Sequence, residues 1–275
     1  MLIAAGSTIG AIQARPLIDA LDQRVLLCHV LHLPRVALIT QSERALNEAE
    51  AQALSELIAR RQAGEPVAYL VGQREFYGLP FQVGPDVLIP RPDTELLVEL
   101  AIARLPARGR MLDMGTGSGA IAVAVAHNRP DAGVTALDVS EAALAIARAN
   151  ASANDTTVTF LHSDWFGALD ATPFDLIVSN PPYIADGDRH LAEGDLRFEP
   201  IGALTDHADG LSALRTIAIG APAHLAAGAW LLMEHGYDQA GAVRTLLGAR
   251  GYTEVQSWRD LSGIERVSGG RRPPD

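Results

Sequence analysis

The chain has 275 residues, 48% of them apolar and 20% charged, enough to bury a sizeable core in more than one domain. Its 33 acidic residues outnumber 22 basic ones, every one of which is arginine, leaving a net charge of −11 with no basic stripe. Grip on DNA or RNA through the phosphate backbone needs clustered cations to displace counterions, so no direct nucleic-acid partner is expected.

The first elements read as helices. Leu17, Ile18, Leu21, Val25, Leu26 and Val30 recur at spacings of three and four until Pro34 breaks the pattern. Cys28, the single cysteine, lies in this helix; it has no partner for an internal disulfide and suits a reducing compartment. Asn47 followed by Glu50 announces a second helix through a capping box, with Leu54, Leu57 and Ile58 on its apolar face and Gly64 at its end. Pro66 opens a further short helix through Leu70. Between Gln73 and Ile89 the β-favouring residues Phe76, Tyr77, Phe81, Val83, Val87 and Leu88 are split by Gly78-Leu79-Pro80 and Gly84-Pro85, which reads as a hairpin linking two domains.

From Pro92 onward short apolar runs alternate with helical stretches, and Asp93 reads as a helix cap ahead of Leu96, Leu97 and Leu100. Strands are expected at 110–113, 134–138, 158–161, 174–179, 229–235, 253–257 and 265–268. That alternation predicts an α/β fold with a largely parallel sheet covered on both faces. The apolar stretch from Ala213 to Met233 raises the question of a membrane span, but Arg215, Pro222 and His224 interrupt it. An amphipathic helix, a turn and a buried strand fit better, and no membrane partner is expected. No basic leader opens the chain, so the expected location is cytoplasmic.

Asp113-Met114-Gly115-Thr116-Gly117-Ser118-Gly119 carries a strand into a glycine-rich turn, with a helix starting near Ala120. In an open α/β sheet such a turn lets backbone come close to a ligand beyond the strand ends. The spacing also satisfies a loose dinucleotide fingerprint, so the loop alone is weak. Asp138, ending the next strand, can accept both ribose hydroxyls of an adenosine. Two features favour S-adenosylmethionine over a nicotinamide dinucleotide. Asp113 places a negative charge where a ligand's ammonium could sit and where a pyrophosphate would be poorly served. Asp164, Trp165 and Phe166 offer a carboxylate beside rings that can stack on adenine. The blander reading makes the two rings core residues and Asp164 a turn carboxylate.

The strand Phe174–Ser179 delivers Asn180-Pro181-Pro182-Tyr183 to the same sheet edge. An amide or amino nitrogen conjugated to a π-system is a poor nucleophile because its lone pair is delocalised. The Asn180 side-chain oxygen and the Pro181 carbonyl could each accept one N–H and turn the lone pair toward a methyl donor. Two prolines stiffen those acceptors, and Tyr183 offers a flat surface to the planar amide. In isolation the run would be only a strand-ending turn; after the glycine loop and Asp138 it points to N-methylation. The eight histidines form no His-x-x-x-His pair, and Cys28 sits in an apolar helix, so neither a metal site nor a cysteine nucleophile is expected. His235 reads as structural.

With these motifs in place the chain closely resembles the PrmC/HemK family of N5-glutamine methyltransferases that act on class I peptide chain release factors. The resemblance also runs through Gly64–Leu70, Arg74–Pro80, Ile89–Glu95 and Arg197-Phe198-Glu199-Pro200, nearly the whole length. Gly78 and Ser118 stand at positions that vary, and the extreme N-terminus lacks clear similarity. The resemblance implies a helical N-terminal domain for release-factor recognition over 1–72 and a hairpin linker over 73–90. It implies a seven-stranded, Rossmann-like class I methyltransferase domain over 91–275. It implies that Gly115, Thr116, Gly117, Ser118, Gly119, Asp138, Trp165 and Asn180 bind S-adenosylmethionine. Asn180, Pro181, Pro182 and Tyr183 would hold the glutamine of a Gly-Gly-Gln tripeptide. A monomer is expected.

Two rivals stay open. An adenine or guanine amino methyltransferase uses the same Asn-Pro-Pro-Tyr chemistry, against which the acidic charge argues. A non-catalytic protein that only holds release factors would not need the motif intact.

Overall fold

A computed structural model describes residues 3–274. The chain divides into two compact units, Met1–Gln73 and Arg74–Asp275.

The first unit is helical: α1 (Ile9–Ala14), α2 (Ala20–Leu31), α3 (Ala37–Thr40), α4 (Glu48–Gln62) and α5 (Val67–Val71). Its core gathers Ile9, Leu26, Leu27, Leu46, Leu54 and Ile58. The capping box forms as read, with Asn47 Oδ1 accepting from Glu50 N and Glu50 accepting from Asn47 N. Helix α2 starts later than its apolar spacing suggests, because Asp19 caps it through Leu21 N and Asp22 N. Pro66 is the cap of α5 and not its first residue. Helices α1 and α3 escape a sequence reading because six and four residues are too short to show a period.

In the second unit β1 (Gln73–Phe76) and β2 (Leu79–Gln82) make a two-stranded sheet. Phe76 and Phe81 meet edge to face at 6.0 Å and are buried with Leu97, Val98 and Met111, so the hairpin is part of this unit's core. The strands stop at Gln82; residues 83–91 run on without regular structure. Then come α6 (Glu95–Arg104), β3 (Arg110–Met114), α7 (Ala120–Asn128), β4 (Gly133–Asp138), α8 (Glu141–Ala153), β5 (Val158–His162) and β6 (Phe174–Ser179). The rest is α9 (Ile201–Leu204), α10 (Ser212–Gly220), β7 (Leu225–Glu234), α11 (Ala240–Ala249), β8 (Thr253–Arg259) and β9 (Glu265–Arg271). Asp93 is not the cap of α6: it lies within a 3₁₀ turn, Pro92–Thr94, where a proline at the first position starts the turn and α6 follows directly. The stretch Ala213–Met233 resolves into α10, a proline turn and β7, and no described helix is long and apolar enough to cross a membrane.

Seven strands form one sheet in the order β5-β4-β3-β6-β7-β9-β8, parallel except for β9, which runs antiparallel to β7 and β8. Side chains alternate across it. Met111 points into the core under α6 and α7, and Leu112 and Met114 into the one under α10 and α11. From β3 the chain builds outward to β4 and β5, then crosses back to β6 on the other side. The strand order therefore reverses between β3 and β6, the place where open α/β sheets hold ligands. Met114 pairs with Leu137 on one side and Ser179 on the other, so the chain leaves all three strands at one level. That register puts the glycine turn, Asp138 and Asn180 on a single rim.

Candidate active site

A cavity of about 300 Å³ opens at this rim, lined by Gly115, Thr116, Gly117, Ser118, Asp138, Asp164, Trp165, Asn180 and Pro182 among the residues singled out in the sequence. Gly115, Gly117 and Gly119 have φ of 71°, 55° and 82°, left-handed values that a side chain would strain. Gly115 N and Thr116 N both donate to Leu137 O at 2.9 Å, which ties the turn to the end of β4.

Asp138 takes Gly117 N on Oδ2 at 2.8 Å and Ser140 N on Oδ1 at 2.9 Å. Each carboxylate oxygen keeps lone-pair capacity for one further donor on the cavity side, the arrangement that two vicinal hydroxyls require. Val139 next to it is apolar yet 66% exposed, and Trp165 stands on the cavity wall. Together they offer apolar and aromatic surface to a purine. The two rings of the Trp165-Phe166 pair part company. Trp165 adopts a left-handed φ of 46°, whereas Phe166 turns away to stack on His224 at 5.0 Å and 7°.

Other residues singled out lie behind the wall. Asp113 is fully buried, and its Oδ2 accepts the Thr116 hydroxyl at 2.6 Å. Burial raises its carboxyl to about 7 against the pull of that bond, and Oδ1 has no partner among the described residues. In the structure it supports the turn from beneath. Gly119 caps α7 where it crosses α8; a Cβ there would lie 3.1 Å from the Ala147 Cβ and 3.2 Å from its Cα. Pro181 is buried. Tyr183 packs among the apolar residues under α10 and α11, with its hydroxyl 3.4 Å from Glu234 Oε1 and its carbonyl accepting from Gln239 Nε2 at 2.9 Å. It anchors the Asn-Pro-Pro-Tyr corner, leaving Asn180 and Pro182 at the cavity. His235 is fully buried away from the cavity. Its Nδ1 donates to Gly236 O at 2.9 Å, which leaves Nε2 to accept from Ser268 Oγ at 2.7 Å. Among the described residues no three His, Cys, Asp or Glu side chains gather as a metal site.

The sequence reading missed much of the wall. Asp86, Val87, Leu88, Pro90, Arg91 and Thr94 line one side, and Pro200, Gly202 and Ala203 close another. Their motifs were visible, but no local pattern shows that segments more than a hundred positions apart meet. They meet through Glu199, a buried carboxylate that pairs with Arg91 and accepts Ile89 N at 3.0 Å. Burial pushes that carboxyl up, and the Arg91 charge holds it down.

The sequence profile described as the PrmC N-terminal domain matches residues 13–72, and that of the methyltransferase small domain matches residues 92–195. A release factor glutamine methyltransferase of Burkholderia pseudomallei (strain K96243) is 56% identical over 271 residues, 95% of each chain. One of Bordetella pertussis (strain Tohama I) is 56% identical over 260 residues, covering 94% of this chain and 96% of that one. The crystal structure of a methyltransferase from Pyrococcus furiosus shares the fold, with a TM-score of 0.56 at 20% identity over 80% of this chain and 99% of the other. Identity of this extent over both units places the chain in the release factor glutamine methyltransferase family.

Proposed function

We propose that the chain transfers a methyl group from S-adenosylmethionine to the side-chain amide nitrogen, N5, of the glutamine in the Gly-Gly-Gln tripeptide of class I peptide chain release factors. One observation carries the reading: the cavity formed by the glycine turn and Asp138 ends at Asn180 and Pro182, in a chain more than half identical to release factor glutamine methyltransferases along both units.

The donor set suits the cofactor, with hydroxyl acceptors on Asp138, apolar surface from Val139 and Trp165, and open backbone at the glycines. When bound, S-adenosylmethionine supplies a methyl group on a positively charged sulfur, already activated for displacement. The chain's task is orientation. Asn180 Oδ1 and the Pro181 carbonyl accept the two N–H bonds of the glutamine amide, drawing its lone pair out of conjugation and toward the methyl carbon. Holding two reactants in line in this way accounts for several kcal/mol of a barrier, on the order of 7–11 in the best intramolecular cases. No base is needed before attack, because the methylated nitrogen is more acidic and loses its proton afterwards. Asp113 and Tyr183 act from behind, holding the turn and the corner.

We assign release-factor recognition to residues 1–72, with 73–90 as linker and 91–275 as the catalytic part, in a cytoplasmic monomer. Light scattering on the purified chain tests the last point. The substrate is tested by offering labelled cofactor with purified release factor, bulk tRNA, rRNA or DNA, followed by mass spectrometry of the tryptic peptide that holds Gly-Gly-Gln. A gain of 14 Da on that glutamine is expected from one added CH₂, on the order of its formula mass. Label confined to nucleic acid would overturn the assignment in favour of a base amino methyltransferase.

A further inference from the structure

Pro181 and Pro182, in the middle of the Asn-Pro-Pro-Tyr corner, carry no N–H. The corner therefore cannot be tied down through backbone donors at those positions and has to be held from its two ends. Upstream, Ser179 is laced into the sheet. It pairs with Met114 on one side and Met233 on the other, and its hydroxyl donates to Met114 O at 2.7 Å. Downstream, Ile184 N donates to Leu204 O at 3.0 Å, and the Tyr183 carbonyl accepts from Gln239 Nε2 at 2.9 Å.

Gln239 immediately precedes α11. A residue at a helix start usually turns its side chain onto the first N–H groups of that helix. The Gln239 side chain makes no such bond among the described residues. Its NH₂ donates to Gly210 O at 3.1 Å as well as to Tyr183 O, and its Oε1 accepts Gly236 N at 2.8 Å. An amide can be turned end for end with little change of shape, but two carbonyls at one end and an N–H at the other admit a single orientation. The second carbonyl is itself fixed. Asp206 takes Ala208 N and Gly210 N on Oδ1 at 2.9 and 3.0 Å and Ser212 N on Oδ2 at 2.6 Å, which shapes the loop that presents Gly210 O. Gly210, at φ 77°, approaches the corner so closely that a Cβ would lie 2.5 Å from the Tyr183 oxygen. One amide thus joins the end of the corner, the 206–212 loop and the turn after β7.

We propose that Gln239 is a positioning residue for methyl transfer: by holding Tyr183 O it fixes the exit of the corner and keeps Asn180 Oδ1 and Pro181 O where they meet the substrate carboxamide. This rests on the acceptor roles assigned to Asn180 and Pro181 above. The cavity wall includes Asn180 and Pro182 but not Gln239, so its effect on the reaction passes through the corner. With Ser179 fixed by the sheet, Tyr183 by the amide and φ locked at both prolines, the corner has few torsions left to relax. Releasing the Tyr183 end lets both acceptors drift from the line of attack, and an ångström of drift costs on the order of a hundredfold in rate.

The test is steady-state methylation of purified release factor by Q239E and Q239M, with cofactor Kd by calorimetry and assays run below each variant's thermal midpoint. Q239E keeps the length of the side chain and the acceptor for Gly236 N, but sets an oxygen against both carbonyls. Q239M keeps the bulk and removes every polar bond. Each is expected to lower kcat about 20-fold or more while the KM for release factor and the cofactor Kd stay within about twofold. A role confined to the turn after β7 predicts Q239E at the wild-type rate, because that bond survives in it. A second readout needs no substrate. Tyr183-Ile184 is the one Tyr-Ile step in the sequence, so protein labelled with carbonyl-¹³C tyrosine and ¹⁵N isoleucine gives a single correlation that reports the Tyr183 carbonyl. Its ¹³C resonance is expected to move upfield in both variants as the donor is lost. Should one variant fail to fold, the other carries both measurements. A folded variant within threefold of wild-type kcat, a cofactor Kd that weakens as much as kcat falls, or an unmoved Tyr183 resonance would overturn the proposal. Wild-type enzyme that labels no release factor would instead overturn the substrate assignment, and the carbonyl resonance still decides whether Gln239 holds the corner.

Discussion

Asn180 and Asp138 leave the sheet at the ends of β6 and β4, flanking the glycine turn on either side of β3, and their tasks are separable. Asn180→Ala removes one N–H acceptor and leaves most of the cavity intact; turnover is expected to fall about 100-fold or more, as when one preorganised hydrogen-bonding group is lost from other sites. Cofactor affinity measured by calorimetry should remain largely intact. Asp138→Ala removes two charge-assisted acceptors and is expected to raise the cofactor Kd about tenfold or more, the equivalent of roughly 1.5–3 kcal/mol. An unchanged Kd would place the ribose elsewhere. Glu234 adds a pH signature. Its carboxyl rises from 4.5 to about 7, chiefly through burial and the nearby Asp93, with Thr94, Arg266 and Tyr183 pulling down. The folded state thus keeps a proton that the unfolded chain has given up. The stabilisation is complete below the ordinary value and is lost as pH climbs through about 7. E234Q has no such proton, so its stability relative to wild type should improve between pH 5 and pH 8, on the order of one to three kcal/mol by linkage. Urea denaturation at the two pH values reads it; a difference that stays flat with pH would refute it.

At the scale of elements, the site depends on how closely α7 approaches α8. Gly119 begins α7 with φ 82° and nothing but hydrogen between it and Ala147. Gly119→Ala combines a left-handed strain with a contact that backbone must yield to. A loss of about 1–3 kcal/mol is expected, together with weaker cofactor binding because the turn shifts. A thermal midpoint and Kd both equal to wild type would show that α8 gives way freely. Long elements were legible in the sequence: the capping box of α4 and the apolar runs of β3, β4 and β6 all announce themselves through spacing. Short ones were not. The 3₁₀ turn at Pro92–Thr94 displaced the expected cap at Asp93, because a proline-led turn and a capped helix start look alike in local sequence.

At the scale of the molecule, one buried side chain knits the hairpin, α8 and the glycine turn. Asn150, fully buried, donates to Gln82 O at 3.0 Å and Ser118 O at 2.8 Å and accepts Gln82 N at 2.7 Å. Asn150→Ala leaves those three backbone groups unpaired in the interior. It is expected to cost about 2–4 kcal/mol of stability and to weaken cofactor binding through Ser118. Denaturant melts of the variant check the first, calorimetry the second; a near-neutral result would mean that water replaces the amide.

What the sequence determined alone was the chemistry carried by contiguous residues. A glycine turn after a strand, an acidic residue closing the next strand and an Asn-Pro-Pro-Tyr corner each announce a candidate site through local spacing, because backbone geometry over a few residues is local. Which neighbours stand behind those motifs was decided only by the tertiary structure. Trp165 and Phe166 are adjacent in the chain, yet a left-handed φ at Trp165 leaves one on the cavity wall and the other on His224. Thr94 and Asn180 lie 86 positions apart and meet only because the turn before α6 packs against the end of β6, where Asn180 Nδ2 donates to Thr94 Oγ1 at 3.3 Å. Contact between distant segments is a non-local property, and spacing along a chain has no means of recording it.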